Sequence, residues 1–345
     1  MDFSIVSILL LDGLTNGAVY ALMGLCTVLV FSVTRVIFIP QGEFVAYGAL
    51  TLAIFQTGRV PGTVWLLLIM ATLVALLDAR LHWQQHRNAV GALAAAARSL
   101  AIPAAICALS VWAAPQQFGL LVQAALSVAI VTAFGPMVYR LAYQSLADAS
   151  SLVLLIVSVG VHFAMTGLGL LFFGAEGYRN PTFWDVRINL GPVLLKGQVI
   201  IIGAATLALM VLMWQFFSRT LYGKALQATA INRLGARLMG VSTIGAGRAT
   251  FAMAALIGAL SGLLIGPTTT VFYDSGFLIG LKGFVAAVMG GLQSFPVAAI
   301  GAVCVGLVES FGSFWASAFK EVIVFTLVLP VLVWRSLSHG QSEEH

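Results

Sequence analysis

Long apolar runs without alternating polarity fill almost the whole of this chain, and that property narrows its possible folds to one class. In hydrocarbon an unpaired backbone group costs several kcal/mol, so such runs close their hydrogen bonds within helices; a barrel would need polar and apolar residues to alternate. With 60% hydrophobic and 8% charged residues over 345 positions, and a mean hydropathy of +1.02, there is too little polar surface for a soluble globule. The expected fold is all-α and polytopic.

Allowing roughly 17–25 residues per span and fewer where a helix is broken, helices fall at 5–33, 43–58, 62–78, 99–114, 118–139, 151–173, 198–217, 249–272, 278–292, 296–314 and 319–335. That makes about eleven passes, transmembrane or re-entrant. The second and ninth are short and follow turn-like stretches, IPQGE at 39–43 and YDSG at 273–276, so either can be a re-entrant or broken helix.

One segment interrupts the apolar pattern. Residues 218–247, SRTLYGKALQATAINRLGARLMGVSTIGAG, carry Arg219, Lys224, Arg233 and Arg237 and no acidic side chain. Good helix formers and the absence of proline predict a helix from about Leu221 to Met239, too polar to span lipid and too regular for a slack linker. It reads as a docking surface.

If this loop is cytoplasmic, counting spans puts Arg35, a 78–98 loop with Arg80, Arg87 and Arg98, Arg140 and Arg335 on the same side, as the positive-inside tendency requires. The N-terminus then lies outside, as does the 174–197 loop, with Tyr178, Phe183 and Trp184 suited to the outer interface. Residues 1–335 form one transmembrane domain, and 336–345 a cytoplasmic tail. The first helix has no basic leader or small-residue cleavage site and is expected to be retained. The net charge of +5 and pI near 9.3 follow from basic residues gathered on the cytosolic face, and no nucleic acid partner is needed to explain them.

Two stretches share an order of long helix, kinked turn and short Gly/Ala-rich helix: 21–55 and 255–291. Six helices separate their starting helices, so the two units enter the membrane from opposite sides, the pattern of an inverted repeat whose broken helices line a translocation route. Most of the 35 glycines serve close helix packing, while Gly280, Gly283, Gly290 and Gly291, around the short ninth helix, are route candidates.

Ionisable groups in spans are expensive, at about 2.5–3.5 kcal/mol or more each. Glu43, Lys282, Glu309 and Glu321 stand out, and Lys282 and Glu309 are expected to neutralise each other inside the bundle. His82 and His86 read as part of a solvated hairpin, and His162 as a hydrogen-bonded packing residue. Cys26, Cys107 and Cys304 are core residues without a CxxC, so no metal or redox framework is suggested. There is no GxxxxGK[ST], GxSxG or HExxH, so neither ATP hydrolysis nor another catalytic activity is expected of this chain, and it needs no cofactor of its own. Sparse intramembrane acids disfavour an ion-coupled carrier, which remains a second reading alongside an intramembrane enzyme.

The stretch GLTNGAVYALMGLCTVLVFSVTRVIFIPQGEFVAYGAL (13–50) resembles the opening signature of LivH-like permeases of branched-chain amino acid ABC transporters. The second half is similar over 219–267 and again over GLKGFVAAVMGGLQSFPVAAIGAVCVGLVES (280–310). The resemblance covers nearly the whole chain, weakly across 78–135. It implies a bacterial inner-membrane importer subunit that pairs with a second, related permease, binds two cytosolic ATPases that hold the ATP, and receives solute from a periplasmic binding protein. The 221–239 helix would then be the coupling element, with Leu234 and Leu238 as anchors, Arg233 and Arg237 at the rim, and Lys224 and Gly240 beside them. Gln41, Gly42, Glu43 and Thr268 would join Lys282 and the glycines on the route.

The sequence departs from the family in three places. Gln41 replaces a histidine in the Asn-Phe-Ala-His-Gly-Glu pattern, Gln293 to Val297 replace a glycine-rich turn, and the C-terminal Arg-Pro-x-Gly-Leu is reduced to Arg335-Ser336-Leu337. The family implies leucine, isoleucine or valine as solute, while relatives that move urea, amides or aromatic acids keep those alternatives open.

Overall fold

A computed structural model of the protein describes residues 3–190, 193–292 and 294–339. Among them, eight helices are long and apolar enough to cross a membrane. These are α1 (Phe3–Thr34), α3 (Gly62–His86), α4 (Ala89–Ala113), α5 (Leu120–Val138), α6 (Ser151–Phe173), α7 (Gly197–Arg219), α10 (Thr243–Ile265) and α12 (Phe295–Trp315). The shorter helices are α2 (Glu43–Gln56), α8 (Leu221–Ile231), α9 (Arg233–Leu238), α11 (Ser275–Met289), α13 (Lys320–Thr326) and α14 (Val328–His339). The chain is an all-α polytopic membrane protein; among the described residues its one small sheet is an antiparallel hairpin of β1 (Arg187–Leu190) and β2 (Val193–Lys196), pairing Arg187 with Lys196.

Several expected boundaries move. No 78–98 loop exists: α3 runs on to His86, Arg87 takes a left-handed conformation at φ +47°, and Asn88 caps α4 through Val90 N–H. Hydropathy marks where lipid ends, but alanine-rich sequence continues as helix into water. Asp78 knits the hairpin to the π-helical extension of α5 (Tyr139–Tyr143), accepting from Ser99 Oγ at 2.6 Å and pairing with Arg140. The helix expected over 221–239 breaks at Asn232, whose extended backbone and side-chain bond to Gly235 N–H cap α9. Residues 266–272 leave the helix expected over 249–272, and the last expected span divides into α13 and α14 at Leu327. Residues 340–345 of the expected tail, and Gln293, lie outside the described residues.

At the centre, α1 and α10 pack against each other and exchange partners: α1 lies along α11 and α12, and α10 along α2 and α5. The hairpin α3–α4 has no counterpart on the α10–α12 side. The periphery shows the opposite burial, with Leu121, Ile156, Leu171, Leu207 and Trp214 exposed on α5, α6 and α7, where lipid would cover them.

Close approach makes the α1–α12 contact. A β-carbon on Gly306 would meet the Gly13 carbonyl and the Gly17 backbone. Overpacking of this kind costs about 1–3 kcal/mol, so Gly306→Val is expected to lower the thermal midpoint in detergent, whereas Leu207→Val on the outward face of α7 should leave it unchanged.

Candidate functional site

Two interruptions of the helical backbone frame the site. The first follows α1: Arg35 turns at φ +60°, and residues 39–42 form a short 3-10 turn with Pro40, Gln41 and Gly42 buried. Phe38 anchors the turn among Phe44, Tyr143 and Phe251, with ring centroids 4.7–5.8 Å apart. Gln41 Nε2 donates to the Ala254 carbonyl of α10 at 3.3 Å. Glu43, the first residue of α2, is fully buried, with Oε1 3.0 Å from His162 Nδ1 of α6, and the imidazole lies against Phe277 of α11.

The second interruption, 266–274, joins α10 to α11. It is stitched to the 178–180 segment, where Tyr178 and Val271 exchange backbone hydrogen bonds and Asn180 N–H donates to the Gly266 carbonyl at 3.2 Å. Arg179 donates to the carbonyls of Pro267 and Thr268. The first break passes directly over the start of α11: a β-carbon on Gly42 would strike the Gly276 carbonyl, and one on Gly276 the Gly42 carbonyl.

Beside the second break lies a cavity of about 820 Å³, lined by Thr15, Asn16 and Tyr20 of α1, Thr268–Thr270, Lys282 of α11, Glu309 of α12 and Glu321 of α13. Lys282 is 5% exposed, with Nζ 2.6 Å from Glu309 Oε1 and 3.2 Å from Glu321 Oε1. Tyr20 Oη donates to Glu309 Oε2 at 2.6 Å. One ammonium thus serves two carboxylates from different helices, while Asp12 lies 3.5 Å from Ser310 nearby. A chamber of this size and lining can hold a small solute with both polar and apolar parts. Among the described residues, no group of three His, Cys, Asp or Glu is placed to hold a metal.

The site residues expected from sequence therefore divide. Thr268, Lys282 and Glu309 share the cavity wall. Gln41, Gly42, Glu43 and Gly280 sit off that wall, packed where the first break crosses α11. Gly283 faces Met23 and Gly24 of α1, while Gly290 abuts Ser294 and Ala298 and Gly291 turns at φ +64°. Sequence reasoning missed Tyr20 and Arg179, and gave Glu321 no partner. Tyr20 sits in an apolar run and carries no local sign of a carboxylate 289 residues away.

At one end of the bundle, α8 and α9 form a platform. Thr220 caps α8 through Gly223 N–H, and Leu226 inserts among Leu29 and Val33 of α1, Phe217 of α7 and Ala246 of α10. Leu234, Leu238 and Met239 point away from the bundle, 68%, 80% and 84% exposed. Lys224 is also exposed, and Gly240 turns at φ +81°. Beside them Arg233, half-buried, donates to the Ala147 carbonyl at 2.7 Å, and Arg237, exposed, donates to Thr243 Oγ1 at 3.1 Å; both approach the exposed Asp148.

The family model described as the branched-chain amino acid transport system permease component matches residues 86–332. The chain belongs to this permease family. It is 30% identical over 218 residues to the high-affinity branched-chain amino acid transport system permease protein BraD of Pseudomonas aeruginosa, spanning 61% of this chain and 71% of BraD. It is 28% identical over 214 residues to the permease protein LivH of Escherichia coli K12, spanning 60% of this chain and 70% of LivH. No solved structure matches it.

In this permease the charged cluster predicts an asymmetric mutational response. Removing one partner of a buried pair costs about 3–5 kcal/mol by stranding the other charge. Lys282→Met strands two carboxylates, whereas Glu309→Gln leaves Lys282 with Glu321. Lys282→Met is therefore expected to lower the detergent melting midpoint more, and adding Glu309→Gln should recover part of the loss. Additive losses in this cycle would show that the two side chains are energetically independent.

Proposed function

We propose that this permease is the membrane-spanning subunit of an ATP-binding-cassette importer in a bacterial inner membrane, moving branched-chain or other small apolar amino acids delivered by a periplasmic binding protein. Two separate cytoplasmic ATPases bind and hydrolyse the ATP, and a second, related permease completes the pathway. The observation that carries this reading is the α8–α9 platform, whose outer face leaves Leu234 and Leu238 uncovered while its inner face wedges Leu226 between the two central helices. The names of the similar permeases support the same role and solute class.

In this reading the platform end is cytoplasmic and the cavity end periplasmic. The N-terminus is outside, the C-terminus cytoplasmic, and α2, α11 and the α13–α14 pair join the eight long helices to make eleven passes. The reciprocal packing of α1 with α11 and of α10 with α2 supports an inverted repeat. Leu234 and Leu238 anchor the platform in an ATPase groove, with Lys224 beside them, and Gly240 permits the turn into α10. Arg233 and Arg237 brace α9 against Asp148. Closure of the ATPase pair moves α8, and Leu226 carries that motion into α1 and α10, opening the cavity to one side and then the other. Thr268 and Lys282 meet the solute, while Gln41, Gly42, Glu43, Gly280, Gly283, Gly290 and Gly291 form the seam across which the units slide.

Because both leucines are exposed, Leu234→Asp combined with Leu238→Asp should leave the permease folded. Burying two carboxylates in an apolar groove should then cut co-purification of the ATPases at least about tenfold and abolish solute-stimulated ATP hydrolysis. A doubly substituted permease that retains its ATPases and their stimulation would remove the coupling assignment.

A further inference from the structure

We propose that the tip of the α3–α4 hairpin docks on anionic phospholipid headgroups of the cytoplasmic leaflet. The proposal rests on the orientation given above, in which the platform end faces the cytoplasm. The hairpin ends on that side: Asp78 of α3 pairs with Arg140, and the segment after Arg140 runs to Ala147, whose carbonyl accepts from Arg233 of the platform. About twenty residues of helix cross a hydrocarbon core of about 30 Å. Counted from Gly62, where α3 begins, they reach Leu81, so Trp83, His86 and Arg87 fall in the headgroup layer. Ser99 of α4 bonds Asp78 and so sets Arg98 at the inner edge of that layer, from which its long side chain reaches the headgroups.

Charge identifies the partner. Arg80, Arg87 and Arg98 are exposed, and none of them forms an ion pair among the described residues. Asp78 is the one acid between residues 78 and 99, and it is already held by Ser99 and Arg140. Of the helices packed against the hairpin, α5 and α6 carry no acid, and the single acid of α2, Glu43, is buried on His162. The arginines therefore keep their charge uncompensated by the protein around them. Apolar side chains lie among them: Leu76, Arg80 and Trp83 follow at i, i+4 and i+7 on one exposed face of α3, and Val90 and Leu93 are exposed at the start of α4. A face that runs from leucine through arginine to tryptophan matches the order of acyl chain, phosphate and interface in a leaflet. The cytoplasmic leaflet, negative at its surface, attracts basic side chains at that depth. Anchored there, the hairpin holds the Asp78–Arg140 link, and with it the segment that braces the platform, at a fixed level in the membrane.

The test puts the photoreactive residue p-benzoylphenylalanine in place of Trp83 in the full-length permease. Nanodiscs contain equal parts of phosphatidylglycerol and phosphatidylcholine with the same acyl chains, and lipid adducts are read by mass spectrometry. Phosphatidylglycerol adducts are expected to exceed phosphatidylcholine adducts at least about fivefold at low salt, and to lose that excess at high salt. Arg80→Gln, Arg87→Gln and Arg98→Gln together should equalise the two adducts, whereas lysine at the same three positions should retain the excess, which a packing role would not predict. Arg59→Gln, just before the other end of α3, should leave it unchanged. Equal adducts with the three arginines in place, or an excess that survives their replacement by glutamine, overturns the proposal. So does a crosslink in whole cells to a cytosolic polypeptide in place of lipid, which makes the tip a protein contact; the importer reading survives either result. Labelling of Gln85→Cys from the periplasmic side by a membrane-impermeant maleimide, above that of the unsubstituted chain, overturns the cytoplasmic placement of the platform end, and this proposal with it.

Discussion

A backbone amide or carbonyl left unpaired in hydrocarbon costs several kcal/mol, and both interruptions of this bundle are shaped by that penalty. The first is solved internally: its short turn closes Gln41 N–H onto the Phe38 carbonyl, Val36 N–H reaches Thr34 Oγ1, and aromatic rings from α5 and its extension, α2 and α10 cover it. The second cannot be covered in the same way, because it borders a chamber. Its carbonyls are met instead by the 178–180 segment, which supplies a bridge at Val271, an amide for Gly266 and a guanidinium for Pro267 and Thr268. The two breaks thus end differently, one closed over by packed aromatic rings, the other tied to the 178–180 segment beside a cavity.

The buried charges follow the same division. Glu43 and His162 pair off the cavity wall, and their geometry ties α6 to the root of α2 where the first break ends. Lys282 lies on the wall and draws carboxylates from α12 and α13, with α1 joining through Tyr20. Four helices meet at one cluster, so a change in their relative positions must alter its pairing. Glu321 is the loosest member, being the one whose second oxygen has no hydrogen-bond partner.

Much of this architecture was legible in the sequence, because hydropathy reports which residues face hydrocarbon and helix is the usual solution there. The starts of α2, α3, α6 and α7 fall within a residue of where apolar content placed them. Hydropathy does not report where a helix stops in water, which is why α3 and α4 run past their apolar parts to meet at Arg87 and Asn88. The break at Asn232 did have a local sign, since Asn is a strong N-cap and its oxygen takes the amide three residues on; the absence of proline hid it. The Lys282–Glu309 pair was expected from sequence and joins two consecutive helices, but the partners of Glu43 and Asp148 come from elements distant in sequence, and no periodicity encodes such pairings. The resemblance puts Arg233 and Arg237 at the rim of the coupling surface, and their approach to Asp148, on a distant loop, has no local sign in the sequence.

Communication between the two ends reduces to the stiffness of α1. Leu29 and Val33 grip Leu226 of the platform, and Tyr20 of the same helix bonds Glu309 at the cavity floor. Nine residues separate Leu29 from Tyr20, about 14 Å at the rise of an α-helix, with no proline or π-bulge between them to absorb a displacement. Gly13 and Gly17 bring the next turns of α1 into backbone contact with α12, the helix that carries Glu309. Sliding α1 against α12 is therefore resisted at the glycine seam, and the compliant point becomes the side-chain cluster just beyond it. A displacement of α8 would thus be felt where Lys282, Glu309 and Glu321 share their hydrogen bonds.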